Sequence, residues 1–132
     1  MGAWGTGNFD NDTALDWVYD LEEYEDTTLI EQTLNAIDEE DIDASSAEEA
    51  LIAIEVIARL LGNFKDDAYS EDVDKWVKAN PLEVSDELLE KAKKTIVLIL
   101  GENSELRELW EETNDYQSWI DVIKELDGRL RR

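Results

Sequence analysis

Ser45-Ser-Ala-Glu-Glu-Ala-Leu-Ile-Ala-Ile-Glu-Val-Ile-Ala-Arg-Leu-Leu-Gly62 decides the fold. Leu51, Ile54, Ile57, Ala58 and Leu61 fall on one helical stripe, and Ala50, Ile52, Ala53 and Val56 widen it until most of the circumference is apolar. A helix of that kind has to be buried, so it is expected at the centre of the core. Ser45 and Ser46 offer two overlapping capping boxes, to Glu48 and Glu49. Gly62 stands where a C′ residue would end the helix.

Working outward, the neighbouring stretches carry the same helical period with their own start and stop signals. On the N-terminal side, Asn11 and Asp12 are N-cap candidates for a helix running to about Tyr24, with Leu15, Val18, Tyr19 and Leu21 marking its pattern. Thr28-x-x-Glu31 is a capping-box pattern for a second helix with Leu29, Ile30, Leu34 and Ile37 on its apolar face. Downstream, Ser70 caps a helix with Val73, Trp76 and Val77, halted by Asn80-Pro81 because the residue before proline is pushed out of the helical region. Ser85 opens a second largely buried helix through Leu88, Leu89, Ala92, Ile96, Val97, Ile99 and Leu100. Thr95–Leu100 has strand propensity, yet it continues the helical spacing and has no second strand to pair with. Leu106, Leu109 and Trp110 predict a short helix, and Asn114 caps a last one carrying Trp119, Ile120, Ile123, Leu126 and Leu130. The expectation is an all-α fold: a compact bundle of about six or seven short helices with short connections, forming a single domain over 1–132.

The N-terminal segment is of a different kind. Met1–Trp17 packs three glycines, two tryptophans, a phenylalanine and three aspartates into seventeen positions, which predicts an ordered loop. Gly2, Gly5 and Gly7 would let Trp4 and Phe9 reach the core, and Asp10, Asn11 and Asp12 would cap the helix that Trp17 anchors. The pattern Gly2-Ala-Trp4-Gly5-x-Gly7-x-Phe9-Asp10-Asn11-Asp12-x-Ala14-x-Asp16-Trp17 resembles the start of a family of small bacterial domains with no known function. The resemblance implies a bacterial or phage source and a compact helical domain, and it carries over no catalytic or binding residue.

Charge separates the two halves of the chain. Residues 1–58 hold seventeen Asp and Glu and no Lys or Arg, whereas 59–132 hold eighteen acids and all twelve bases. The net charge is -23. Such a field repels nucleic acid and anionic lipid and speeds encounter with basic partners. The densest run, Asp38-Glu39-Glu40-Asp41-Ile42-Asp43, reads as a solvated loop anchored by Ile42. The basic end, Arg129-Leu-Arg-Arg132, suits a helix C-terminus and could fold back on the acidic half.

Chemistry-bearing patterns are few. The chain has no Cys and no His, which removes thiol chemistry, thiolate metal sites, the commonest general base near neutral pH and the Glu-x-x-His pairs of diiron bundles. Gly2-x-x-Gly5-x-Gly7 follows no strand, has no Lys after it and leads into aspartates that would repel a phosphate. Asp10-Asn11-Asp12 lacks the alternating oxygen ligands and terminal Glu of an EF-hand. Met1–Thr6 matches only the loose myristoylation pattern, and neither a signal peptide nor a membrane-spanning apolar run is legible, so a cytoplasmic protein is expected.

No cofactor, metal or catalytic residue is therefore expected. Trp4, Trp17, Trp76, Trp110 and Trp119 sit on core-facing positions, and Tyr19, Tyr24, Tyr69 and Tyr116 are the surface aromatics. The leading expectation is a non-catalytic acidic domain that binds a basic protein, as an immunity protein, inhibitor or nucleic-acid mimic does, through Asp38, Glu39, Glu40, Asp41 and Asp43. The alternatives are a structural domain whose acidity serves solubility, and a carboxylate-based divalent-cation binder.

Overall fold

The computed structural model describes residues 3–132, so Gly2 of the N-terminal pattern lies outside the described residues. Seven helices follow one another: α1 Asp12–Leu21, α2 Thr28–Asn35, α3 Ala44–Leu60, α4 Glu71–Ala79, α5 Asp86–Ile99, α6 Glu105–Glu111 and α7 Tyr116–Gly128. The described residues contain no strand, only two isolated bridges, Ala3 with Asn11 and Ile42 with Ser104. No helix is long and apolar enough to cross a membrane.

The all-round apolar helix takes the central place its sequence requires. α3 is buried at Ala47 and at every residue from Ala50 to Arg59, and it touches all six other helices. Its C-terminus closes as a Schellman motif: Gly62 takes φ +91°, its N–H donates to the Arg59 carbonyl, and the Asn63 N–H donates to that of Ala58. α5 packs against both α3 and α2, and Thr95–Ile99 belongs to it as helix rather than strand, with Leu100 as its C-cap and the Thr95 hydroxyl bonding back to the Lys91 carbonyl at 2.7 Å. Around this centre, Trp17 donates its indole N–H to Thr33 and Trp76 donates to the Tyr24 carbonyl, each at 2.8 Å. Trp110 and Trp119 stack with centroids 6.5 Å apart. All four of these indoles are buried.

Local signals fail where a stronger acceptor stands nearby. α3 begins at Ala44, not after Ser45 or Ser46, because Asp43 accepts from the Ser46 N–H at 2.7 Å and Glu105 takes the Ala44 N–H. The Thr28–Glu31 box does not form: Asp26 accepts the Thr28 N–H, and Glu31 accepts the Thr27 hydroxyl. Asn114 does not cap α7, since Thr113 folds back on the Trp110 carbonyl and accepts from Asp115 instead. α1 stops at Leu21, three residues short of Tyr24. Val97 points to solvent at 70% exposure, one residue past the buried Ile96 on the helix's wet side.

Candidate functional site

The N-terminal loop is a small folded unit. Trp4 donates its N–H to the Asp10 carbonyl and Asp10 donates to the Gly7 carbonyl, each at 3.0 Å. The Asp10 carboxylate turns inward to accept the Gly7 N–H at 3.1 Å. It fills space that two side chains would need: a Cβ at Gly5 would lie 2.5 Å from Asp10 Oδ2, and one at Gly7 2.7 Å. Asn11 caps α1 through the Ala14 N–H at 2.7 Å. Asp10 is thus a loop staple and Asn11 a cap, and Asp12 is the exposed first residue of α1.

Phe9 reaches the core as expected, but Trp4 does not: it is 51% exposed. In an extended pair successive side chains alternate between faces, and the half-buried Ala3 takes the inward place. Trp4 lies edge-on against Tyr69, with ring centroids 5.7 Å apart. Beside this pair opens a groove of about 310 Å³ with Leu15 and the buried Val18 at its base. Tyr19, 72% exposed, and Tyr69, 58% exposed, line it together with Glu22, Glu71 and Asp72. Leu15, Val18 and Tyr19 of α1 share one stripe by helical spacing, which its C-cap Glu22 continues. Tyr69 has φ +68°, a left-handed conformation that a bulky residue adopts at a cost.

What holds Tyr69 there is a cluster of buried charges that the sequence reading passed over. Glu55 and Arg59, one turn apart in the apolar run of α3, are each 1% exposed. Arg59 donates to Asp74 at 2.7 Å and to the Lys65 carbonyl at 2.7 Å, and Asp67 lies at 3.6 Å, so one guanidinium grips both flanks of the segment that presents Tyr69. Its other face lies over the Phe9 ring at 5.2 Å. Arg129 comes from the far end of the chain to bind both Glu55 oxygens, and it pairs with Glu125 at 2.7 Å. Burial pushes the Glu55 carboxyl up from its ordinary value, and the Arg129 and Arg59 guanidiniums pull it back part of the way. Burial likewise disfavours the charged Arg129, yet Glu55 and Glu125 together hold it more firmly protonated than usual. These are the contacts of a carboxylate seated between two cations. The sequence signal was available: two opposite charges at i, i+4 inside an otherwise apolar helix need partners.

The acidic loop divides by role. Ile42 is buried and exchanges backbone hydrogen bonds with Asn103 and Glu105, which pins the loop to the start of α6. Asp43 caps α3, Asp38 accepts the Glu40 N–H at 3.0 Å, and Glu39 pairs with Lys94 at 3.2 Å. Glu40 and Asp41 are exposed, and among the described residues their carboxylates enter no hydrogen bond or ion pair. A wider groove of about 600 Å³ lies between the end of α3, residues 82–86 and Arg132, where Arg132 pairs with Asp86 and the polar wall is partly neutralised.

No curated protein and no solved structure matches the chain. The family model of the domain of unknown function DUF4259 matches residues 2–121, and the chain belongs to that family.

Proposed function

We propose that the protein is a non-catalytic acidic domain that binds a basic protein, acting as an inhibitor or nucleic-acid mimic by presenting carboxylates to a surface built for phosphates. One observation carries this reading. Of the seventeen carboxylates in residues 1–58, only Glu39 and Glu55 form ion pairs among the described residues. Folding therefore leaves the negative field of the N-terminal half almost uncompensated, although twelve bases are present elsewhere in the chain. A field of that sign accelerates encounter with a basic surface and weakens with salt. In this reading Glu40 and Asp41 project outward as steering charges, Glu39 adds to them when it leaves Lys94, and Asp38 and Asp43 act mainly as loop and helix caps.

The test is capture from a lysate of the source organism at low salt, followed by elution with rising NaCl. A single basic nuclease or DNA-binding protein eluting stoichiometrically is expected. Against that captured protein, the combined variant Glu39→Gln, Glu40→Gln, Asp41→Asn should associate more slowly and with a shallower salt dependence. Unchanged association would remove the loop from the interface. A diffuse ladder of basic proteins lost at moderate salt would make the acidity a matter of solubility.

A further inference from the structure

We propose that the groove between α1 and Tyr69 is the anchoring site of this interface, and that its occupant is an arginine-bearing segment of the basic partner. The inference rests on the basic-partner reading and gives it a place. Exposed aromatic side chains are uncommon in this chain: the other three tryptophans of α4, α6 and α7 and Trp17 are buried. Trp4, Tyr19, Phe64 and Tyr69 are the exceptions; Phe64 already lies under the Lys78 ammonium at 5.8 Å, whereas Tyr69 lies between Trp4 and the groove that Tyr19 lines. The fold holds this arrangement at a cost, because Tyr69 sits at φ +68° under the grip that Arg59 keeps on Lys65, Asp67 and Asp74.

The rim chooses the occupant. Glu22, Glu71 and Asp72 surround an apolar base; Glu71 is paired with Lys75 at 3.1 Å, while Glu22 and Asp72 enter no ion pair among the described residues. A second copy of this chain would bring another -23 charges to the same place, and an anionic lipid surface would meet the same repulsion. A cationic side chain meets aromatic faces and carboxylates together. Arginine suits the site better than lysine, since its planar guanidinium stacks on a ring while its edge donates to carboxylates. A groove of about 310 Å³ has room for one or two such side chains and not for a folded element.

The groove and the acidic loop are built from different elements, so they can be tested apart. The probe is a synthetic peptide of alternating Arg and Ser, with its Lys counterpart, titrated calorimetrically at about 0.15 M NaCl, where exposed charges farther than about a Debye length contribute little. Wild type is expected to prefer the Arg peptide. The double variant Trp4→Ala, Tyr19→Ala, which leaves the net charge unchanged, should lose about tenfold in affinity together with that preference. Both side chains are exposed, so its thermal melt should match wild type; Tyr69→Asn serves as a second variant reporting the same loss. Glu40→Gln with Asp41→Asn should change the affinity by less than about threefold. The groove proposal is overturned if the aromatic variants bind like wild type, or if wild type binds neither peptide. The wider reading is decided separately, by whether capture yields one stoichiometric basic protein.

Discussion

Glu55 is the residue on which the interior depends most. Two guanidiniums, Arg59 and Arg129, converge on a carboxylate that water does not reach, and every buried side-chain polar atom among the described residues has a partner. Removing one member of such a set leaves charges buried without compensation, which costs about 3–5 kcal/mol, whereas replacing both partners by apolar groups can be nearly neutral. Glu55→Gln is therefore expected to lower stability by about that amount in urea denaturation, and Glu55→Met combined with Arg129→Met to recover much of it. A loss below about 1 kcal/mol for Glu55→Gln would show the network to be slack. Asn11, Ser85 and Gly62 are legible in sequence because a cap and its backbone partner lie within a few residues. Glu55 and Arg129 are separated by 74 positions, so the sequence can announce the need for a partner without naming it.

At the level of elements, helices whose apolar stripe is strong were read from periodicity alone, as α3 and α5 were, while their first residues depended on which oxygen wins a shared N–H. Ser45 and Ser46 lost to Asp43, which is both well placed and charged at the positive end of the helix dipole. The face proposed to take arginine was only half legible: Tyr19 and Tyr69 read as surface residues, but Trp4 looked like core because its orientation is set by the bridge between Ala3 and Asn11. The segment between α3 and α4 makes a testable case of function held against local stability. Asparagine tolerates the left-handed region that tyrosine pays about 1–2 kcal/mol to enter. Tyr69→Asn gives up the edge contact with Trp4 but relieves φ +68°, so its unfolding free energy is expected to equal or exceed wild type while peptide affinity falls. Destabilisation by more than about 1 kcal/mol would mean that the ring matters more to packing than to binding.

For the whole molecule, the largely unpaired charge on which the proposed basic partner would act also works against the compact state, and this shapes its response to pH. Glu48 and Glu49 have carboxyls raised from the ordinary 4.5, in both cases chiefly by burial, with the Thr13 hydroxyl opposing the shift at Glu48 and Asp43 and Asp20 adding to it at Glu49. A carboxyl raised on folding binds its proton more tightly in the folded state. Its contribution is thus fully present below the unfolded value and is lost as pH rises through the folded one. Asp26, lowered by the backbone and hydroxyl of Thr28, has the opposite sign, since its contribution disappears only as pH falls below its ordinary 3.8. As pH falls from neutral toward the ordinary carboxyl value of 4.5, the raised carboxyls and the relief of repulsion act together, and the melting temperature should rise by a few degrees at constant ionic strength. Added NaCl at pH 7.5 should reproduce part of the gain by screening. A melting temperature that falls steadily as pH is lowered from neutral toward 4.5 would mean that the acidic half is compensated in solution, and would remove the physical basis for the proposed basic partner.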